Sequence, residues 1–162
     1  MYGYKLKSEP NQGWGDDTAL NDIALHCREA NSTNVTKSVS GSDPGPWGSF
    51  SSDKYCSGLD NPVVGFVVQH EMDKIFWDDS AVNNIKLLCR NNEVISAYVN
   101  THWGYWMKAR RCTAGFAVMG ISTQVEKYQG DGDDSALNGI KLFCMPYLPK
   151  GILRPFVFDW LN

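Results

Sequence analysis

A chain of 162 residues fits one domain and is long enough to bury a core. Its net charge of -3, from 15 basic and 18 acidic residues with no basic block, argues against a phosphate-neutralising nucleic-acid surface. With 12% aromatic residues, six Trp and 15 Gly the composition suits a turn-rich β protein, and no apolar run reaches the roughly 18 residues of a membrane span.

The opening MYGYKLKSEP has neither the charged n-region nor the apolar h-region of a signal peptide. GYKLKSE reads as a first strand, and GDDTALN (Gly15 to Asn21) follows it. NDIALHC then sets alternate side chains on one face, the two-residue period of a half-buried strand. The connector from Arg28 to Pro46 is polar and holds two glycosylation sequons, at Asn31 and Asn34. PWGSFSSDKYC leads to a second strand, VGFVVQHE, then WDDSAVN (Trp77 to Asn83) and NNIKLLC. HWGYWMKARRC, MGISTQVE, GDDSALN (Gly132 to Asn138) and NGIKLFC repeat the series. Gly and Asn clusters punctuate the runs as turns, and no segment has a helical period. The last 18 residues, 145–162, hold three prolines and read as an irregular tail.

One unit, G-x5-E-x6-D-D-[ST]-A-[LV]-N-x-I-x-L-x-C, therefore occurs three times without a gap, over residues 3–27, 65–89 and 120–144. A second motif, W-G-x-[FW]-x5-C, precedes copies two and three. Such self-similarity implies repeated units that cannot bury a face alone and must share a core.

The two motifs together resemble the vitelline membrane outer layer protein I family, over roughly residues 1–144. The resemblance implies an all-β fold: a β-prism of three antiparallel Greek-key sheets with a pseudo-threefold internal repeat, the first copy lacking its Trp-Gly segment. It also implies a secreted protein of an extracellular coat or mucous layer that binds glycans or mucin-like glycoproteins without catalysis. A transferase activity on N-acetylglucosamine oligomers has been proposed for the family, which leaves a glycan-modifying enzyme as the alternative.

Five cysteines fall at repeat positions, and the spacings from Cys56 to Cys89 and from Cys112 to Cys144 nearly match. Two equivalent disulfides are expected, of the kind that persists outside the cytosol. Cys27 is left over, and its partner is expected on a Trp-Gly segment upstream of this sequence, after a signal peptide.

The acid pairs Asp16–Asp17, Asp78–Asp79 and Asp133–Asp134 admit two readings. Glycoside chemistry needs two carboxylates, about 5–5.5 Å apart for retention or about 6.5–9.5 Å for inversion. Neighbouring residues of a strand point to opposite sides, so only a Glu71–Asp78 type of pair could approach. A turn capped by Asp and Ser or Thr explains the threefold copy number more simply, with Asn in a left-handed or carbonyl-binding role. The six aspartates, with the flanking Trp14 and Trp77, are the candidates for glycan contact. Trp47 and Trp103 recur and are expected in the core or at a sheet edge, whereas Trp106 does not recur. His26, His70 and His102 hold unrelated repeat positions, so no metal site, no Ser–His–Asp set and no cofactor is expected.

Overall fold

A computed structural model describes residues 1–9, 20–29, 32–40, 47–70, 82–99, 103–125 and 137–147, and among these all regular structure is β. Three long antiparallel hairpins form the frame: β1 (Gly3–Ser8) with β2 (Leu20–Arg28), β6 (Val63–His70) with β7 (Val82–Cys89), and β11 (Phe116–Val125) with β12 (Leu137–Pro146). They share one register. Gly3 faces His26, Gly65 faces Leu88 and Gly120 faces Phe143, and each hairpin carries a bulge where it approaches its connecting loop. A bulge strengthens the local twist, which lets a hairpin curl around a core.

The remaining strands complete two of the three sheets. In the first sheet β3 (Val35–Val39) flanks β2, while β4 (Ser49–Phe50) and β5 (Lys54–Tyr55) pair in turn along β1. In the second, β8 (Val94–Ser96) flanks β7, while β9 (Tyr105–Trp106) and β10 (Arg110–Arg111) pair along β6. Each Trp-Gly segment thus edges the sheet of the copy before it, not of the copy it precedes in the sequence. The third sheet comprises β11 and β12 among the described residues.

This exchange explains the motif glycines. Gly48 adopts a φ of 79° and Gly104 of 83°, the left-handed region where a side chain is strained. A Cβ on Gly3 would strike the carbonyl of Lys54, and one on Gly65 the carbonyl of Arg110, because the edge strands cross directly over them.

Alternate residues of each closing strand turn inward as the period requires. Ile23, Leu25, Ile85 and Leu87 are buried, and Ile140 and Leu142 pack against the same cluster. The half-buried expectation fails for β2, whose Asp22, Ala24 and His26 are buried on the other face as well. The reason near His26 is the returning edge segment, whose Tyr55 ring sits 5.3 Å from the imidazole. Asn21 and Asn83 of the repeat lie buried inside strands, and neither has the left-handed φ open to a turn asparagine.

The hairpins meet at equivalent positions. Met1 N donates to Val118 O at 3.2 Å, and Val63 N–H donates to Met1 O at 3.0 Å, with all three residues buried. Beside them the Tyr4 hydroxyl donates to Ile85 O at 2.8 Å and accepts from the Ala97 amide at 2.9 Å. It thereby joins the first sheet to the second, from a position held by Phe66 and Ile121 in the other copies. Tyr4→Phe should lower stability by about 1–3 kcal/mol, the cost of leaving buried polar groups unpaired, and an unchanged urea midpoint would refute this role. Burial also pushes the Tyr4 phenol above its ordinary value of 10.0. A raised phenol contributes stability that is complete below that value and lost as pH climbs beyond it. The midpoint should therefore hold from neutrality up to the ordinary phenol range and fall above it, less steeply in Tyr4→Phe.

Cys56–Cys89 and Cys112–Cys144 are disulfides, with Cα separations of 5.8 Å in both, and Cys27 is free. Each bridge ties the edge segment of one sheet to the next sheet's closing strand. Beside the first, Glu93 accepts from the Ser57 amide and hydroxyl at 2.9 and 2.7 Å, which holds its carboxyl below the usual range.

Candidate functional site

The exposed faces of the edge segments gather the aromatic residues. Trp47 is 49% exposed and Trp103 39%, so both sit at sheet edges and the core alternative is excluded. Phe50 and Trp106 occupy the same place in the Trp-Gly motif and are exposed too. Each lies over an ammonium group: Lys5 Nζ is 4.8 Å from the Phe50 ring centre, and Lys86 Nζ is 4.0 Å from that of Trp106. The lysines come from different strands, β1 and β7, yet produce the same arrangement. A cation against one ring face fixes the ring and leaves the other face open to solvent. Tyr105 at 72% and Met107 flank Trp106 in the chain and are exposed, with Lys108, Arg110 and Arg111 along the same segment.

That segment ends at a cleft of about 310 Å³ lined by Pro62, Arg90, Arg111, Phe116 and Tyr147, beside the Cys112–Cys144 bridge. Arg90 is paired with Asp60 at 3.0 Å and lies over the Tyr147 ring. The Tyr147 hydroxyl donates to the Asp60 carboxylate and meets the Tyr2 hydroxyl at 2.9 Å. Burial first, and then the bond to Asp60, raises the Tyr147 phenol. The cleft thus combines two arginines with the aromatic rings of Phe116 and Tyr147, an arrangement suited to a polar ligand that presents both apolar faces and oxygen atoms.

The acid pairs Asp16, Asp17, Asp78, Asp79, Asp133 and Asp134 fall in sequence between the two strands of each hairpin, outside the described residues, as do Trp14, Trp77 and Glu71; His102 and Asn31, between hairpins, lie outside the described residues too. Asn34 is exposed ahead of β3, within its sequon, and Thr36 of that sequon donates to Cys27 O at 3.3 Å. Glu9, the repeat glutamate of copy one, is buried at the end of β1.

Sequence reasoning missed the aromatic–lysine pairs. The signal was present in the variable [FW] position of W-G-x-[FW], but the lysines below it come from distant strands. It also missed a Ser–His–Asp contact: His26 Nδ1 is 2.8 Å from Ser38 Oγ and Nε2 is 2.8 Å from Asp53 Oδ1. The ring is buried, at 3% exposure, and both nitrogens are occupied, so the group ties β3 and the edge segment to β2. Copies two and three carry Leu88 and Phe143 there, so no repeat pattern announces it.

The sequence model of the family described as vitelline membrane outer layer protein I matches residues 1–147. The chain is 39% identical over 147 residues to a vitelline membrane outer layer protein 1 homolog of Mus musculus, covering 88% of this chain and 69% of that protein. To the homolog of Homo sapiens it is 37% identical over the same length, with the same coverage.

Proposed function

The chain belongs to the vitelline membrane outer layer protein I family, and from that premise we propose that it is a secreted, non-enzymatic protein of an extracellular coat or mucous layer. Its three hairpins form a pseudo-threefold prism, and it binds glycans or mucin-like glycoproteins through the aromatic edge segments. The two disulfides support an oxidising compartment. Among the described residues no helix is long and apolar enough to cross a membrane.

The carrying observation is the twice-repeated stack of an exposed ring on a lysine, Phe50 on Lys5 and Trp106 on Lys86. Exposed aromatic patches on a soluble protein mark interaction surfaces. A sugar ring has an apolar face that a flat indole can cover, while its hydroxyls reach the flanking cations. The acid pairs then act as turn-forming residues of the hairpin loops.

A glycan array probed with the folded protein tests this reading. Trp106→Ala should weaken the strongest glycan signal by about tenfold or more, equivalent to about 1.4 kcal/mol. Asp78→Ala should keep binding wherever it still folds. An array without signal would reject glycan binding, and a folded Asp78→Ala protein that has lost turnover of chito-oligosaccharides would establish the enzyme instead.

A further inference from the structure

The outer face of the second sheet sets an aromatic ring and a cation in line. Residues directly opposite each other in an antiparallel pair share a side of the sheet. Trp106 stands opposite Gln69, and Arg111 stands opposite Gly65. Positions 65, 67 and 69 of β6 share the outer side by the two-residue period, away from Phe66 and Val68, which pack against the core. Lys86, opposite Val67, is on that side too, with its ammonium 4.0 Å from the centre of the Trp106 ring. Four residues of strand, about 13 Å, separate the level of Trp106 from that of Arg111. Gly65 gives the Arg111 stem its path, since a Cβ there would sit 3.0 Å from Arg111 Cγ. The first sheet lacks this cation, because Tyr55 stands opposite Gly3.

At Arg111 the outer face meets the cleft, whose wall also carries Arg90. Arg90 lies 5.5 Å from the centre of the Tyr147 ring, and one of its N–H groups donates to Asp60 at 3.0 Å. Asp60 accepts from the Tyr147 hydroxyl as well, so that carboxylate is already matched. Arg111 is exposed and has no ion-pair partner among the described residues. Two guanidinium groups thus stand against one carboxylate, which leaves the cleft a net positive charge.

A guanidinium presents a planar fork of N–H donors that matches the paired oxygens of a carboxylate or a sulfate ester. At about 310 Å³ the cleft lies at the low end of the range for small-ligand pockets, about 300–1,000 Å³, so it admits one terminal sugar rather than a length of chain.

We propose that the second sheet selects acidic glycans: a terminal sugar bearing a carboxylate or sulfate ester enters the cleft with its anion on Arg111, while a neutral sugar of the same chain covers Trp106. This rests on the glycan reading above and adds which glycans are chosen and by which residues. The exposed ring in line with the cation favours a sugar over an acidic side chain of a peptide, which has no flat apolar face to lay on it. Arg90, already oriented by Asp60 and Tyr147, supplies the second donor group without further ordering.

The probes are a neutral tetrasaccharide of N-acetyllactosamine repeats and the same chain capped by sialic acid or by a terminal sulfate, each titrated calorimetrically into the folded protein. At least one capped chain should bind at least tenfold tighter than the neutral one, at one site per protein, and the cap that gains more identifies the acid. Arg111→Gln should bring the capped chains down to the affinity of the neutral chain. Arg111→Lys, which keeps the charge and loses the fork, should recover only part of the preference. Trp106→Ala should weaken all three chains by a similar factor and so preserve their ratio. Equal affinities for capped and neutral chains would overturn the acidic site and leave glycan binding standing. An undiminished preference in Arg111→Gln would overturn its assignment to the cleft, and no binding of any chain would overturn both readings. Tighter binding of a polyglutamate peptide than of every capped chain, lost in Arg111→Gln, would overturn the sugar in favour of an acidic protein.

Discussion

Gly65→Ala should destabilise the protein by about 3 kcal/mol, whereas Gly120→Ala should change stability by less than about 0.5 kcal/mol. Both glycines hold the same repeat position and the same hairpin register. At Gly65 the new methyl would strike the carbonyl of Arg110, a backbone atom that cannot move without lifting β10 from β6. The cost is overpacking together with the loss of edge-strand bonds. At Gly120 the methyl meets only a flexible ring at van der Waals distance. Denaturant unfolding of both variants measures the contrast, and equal midpoints would refute the covering role assigned to the edge strands.

Replacing Cys112 and Cys144 together by Ala should cost about 3–4 kcal/mol, the loop-entropy value for a closure of this length. Their separation is 32 residues, against 33 for the other bridge, so Cys56 with Cys89 should give a loss of the same size. Cys27→Ser should leave the midpoint nearly unchanged, because Cys27 closes no loop. Thermal unfolding under non-reducing conditions reads all three. A large loss from Cys27→Ser alone, or none from either double replacement, would contradict the assigned connectivity.

The hairpins were legible because their determinants are local. Alternation in N-x-I-x-L-x-C places Ile23 and Leu25 on one face whatever lies around them, and the cysteine spacings carried the two bridges. The route of the Trp-Gly segments was not legible. Their adjacency to the next copy in sequence suggested membership in that copy's sheet, yet a strand of two residues such as β4 or β9 has almost no preference of its own. Its place is set by the glycine beneath it and the disulfide beyond it. Tyr4 and His26 were missed for the opposite reason: each replaces an apolar residue of the other copies, and its partners lie on other strands. The aromatic–lysine pairs were legible by half, since the ring position recurs and the lysine position does not.

The order in which the bridges run also governs how the molecule would respond to tension. A pull on its two ends cannot draw out the chain enclosed by Cys56–Cys89 or by Cys112–Cys144 while the sulfur links hold. At about 3.5 Å per extended residue, the two closures together withhold roughly 230 Å of contour length. Reduction would release that reserve, so the same fold is a short tether when oxidised and a long one when reduced.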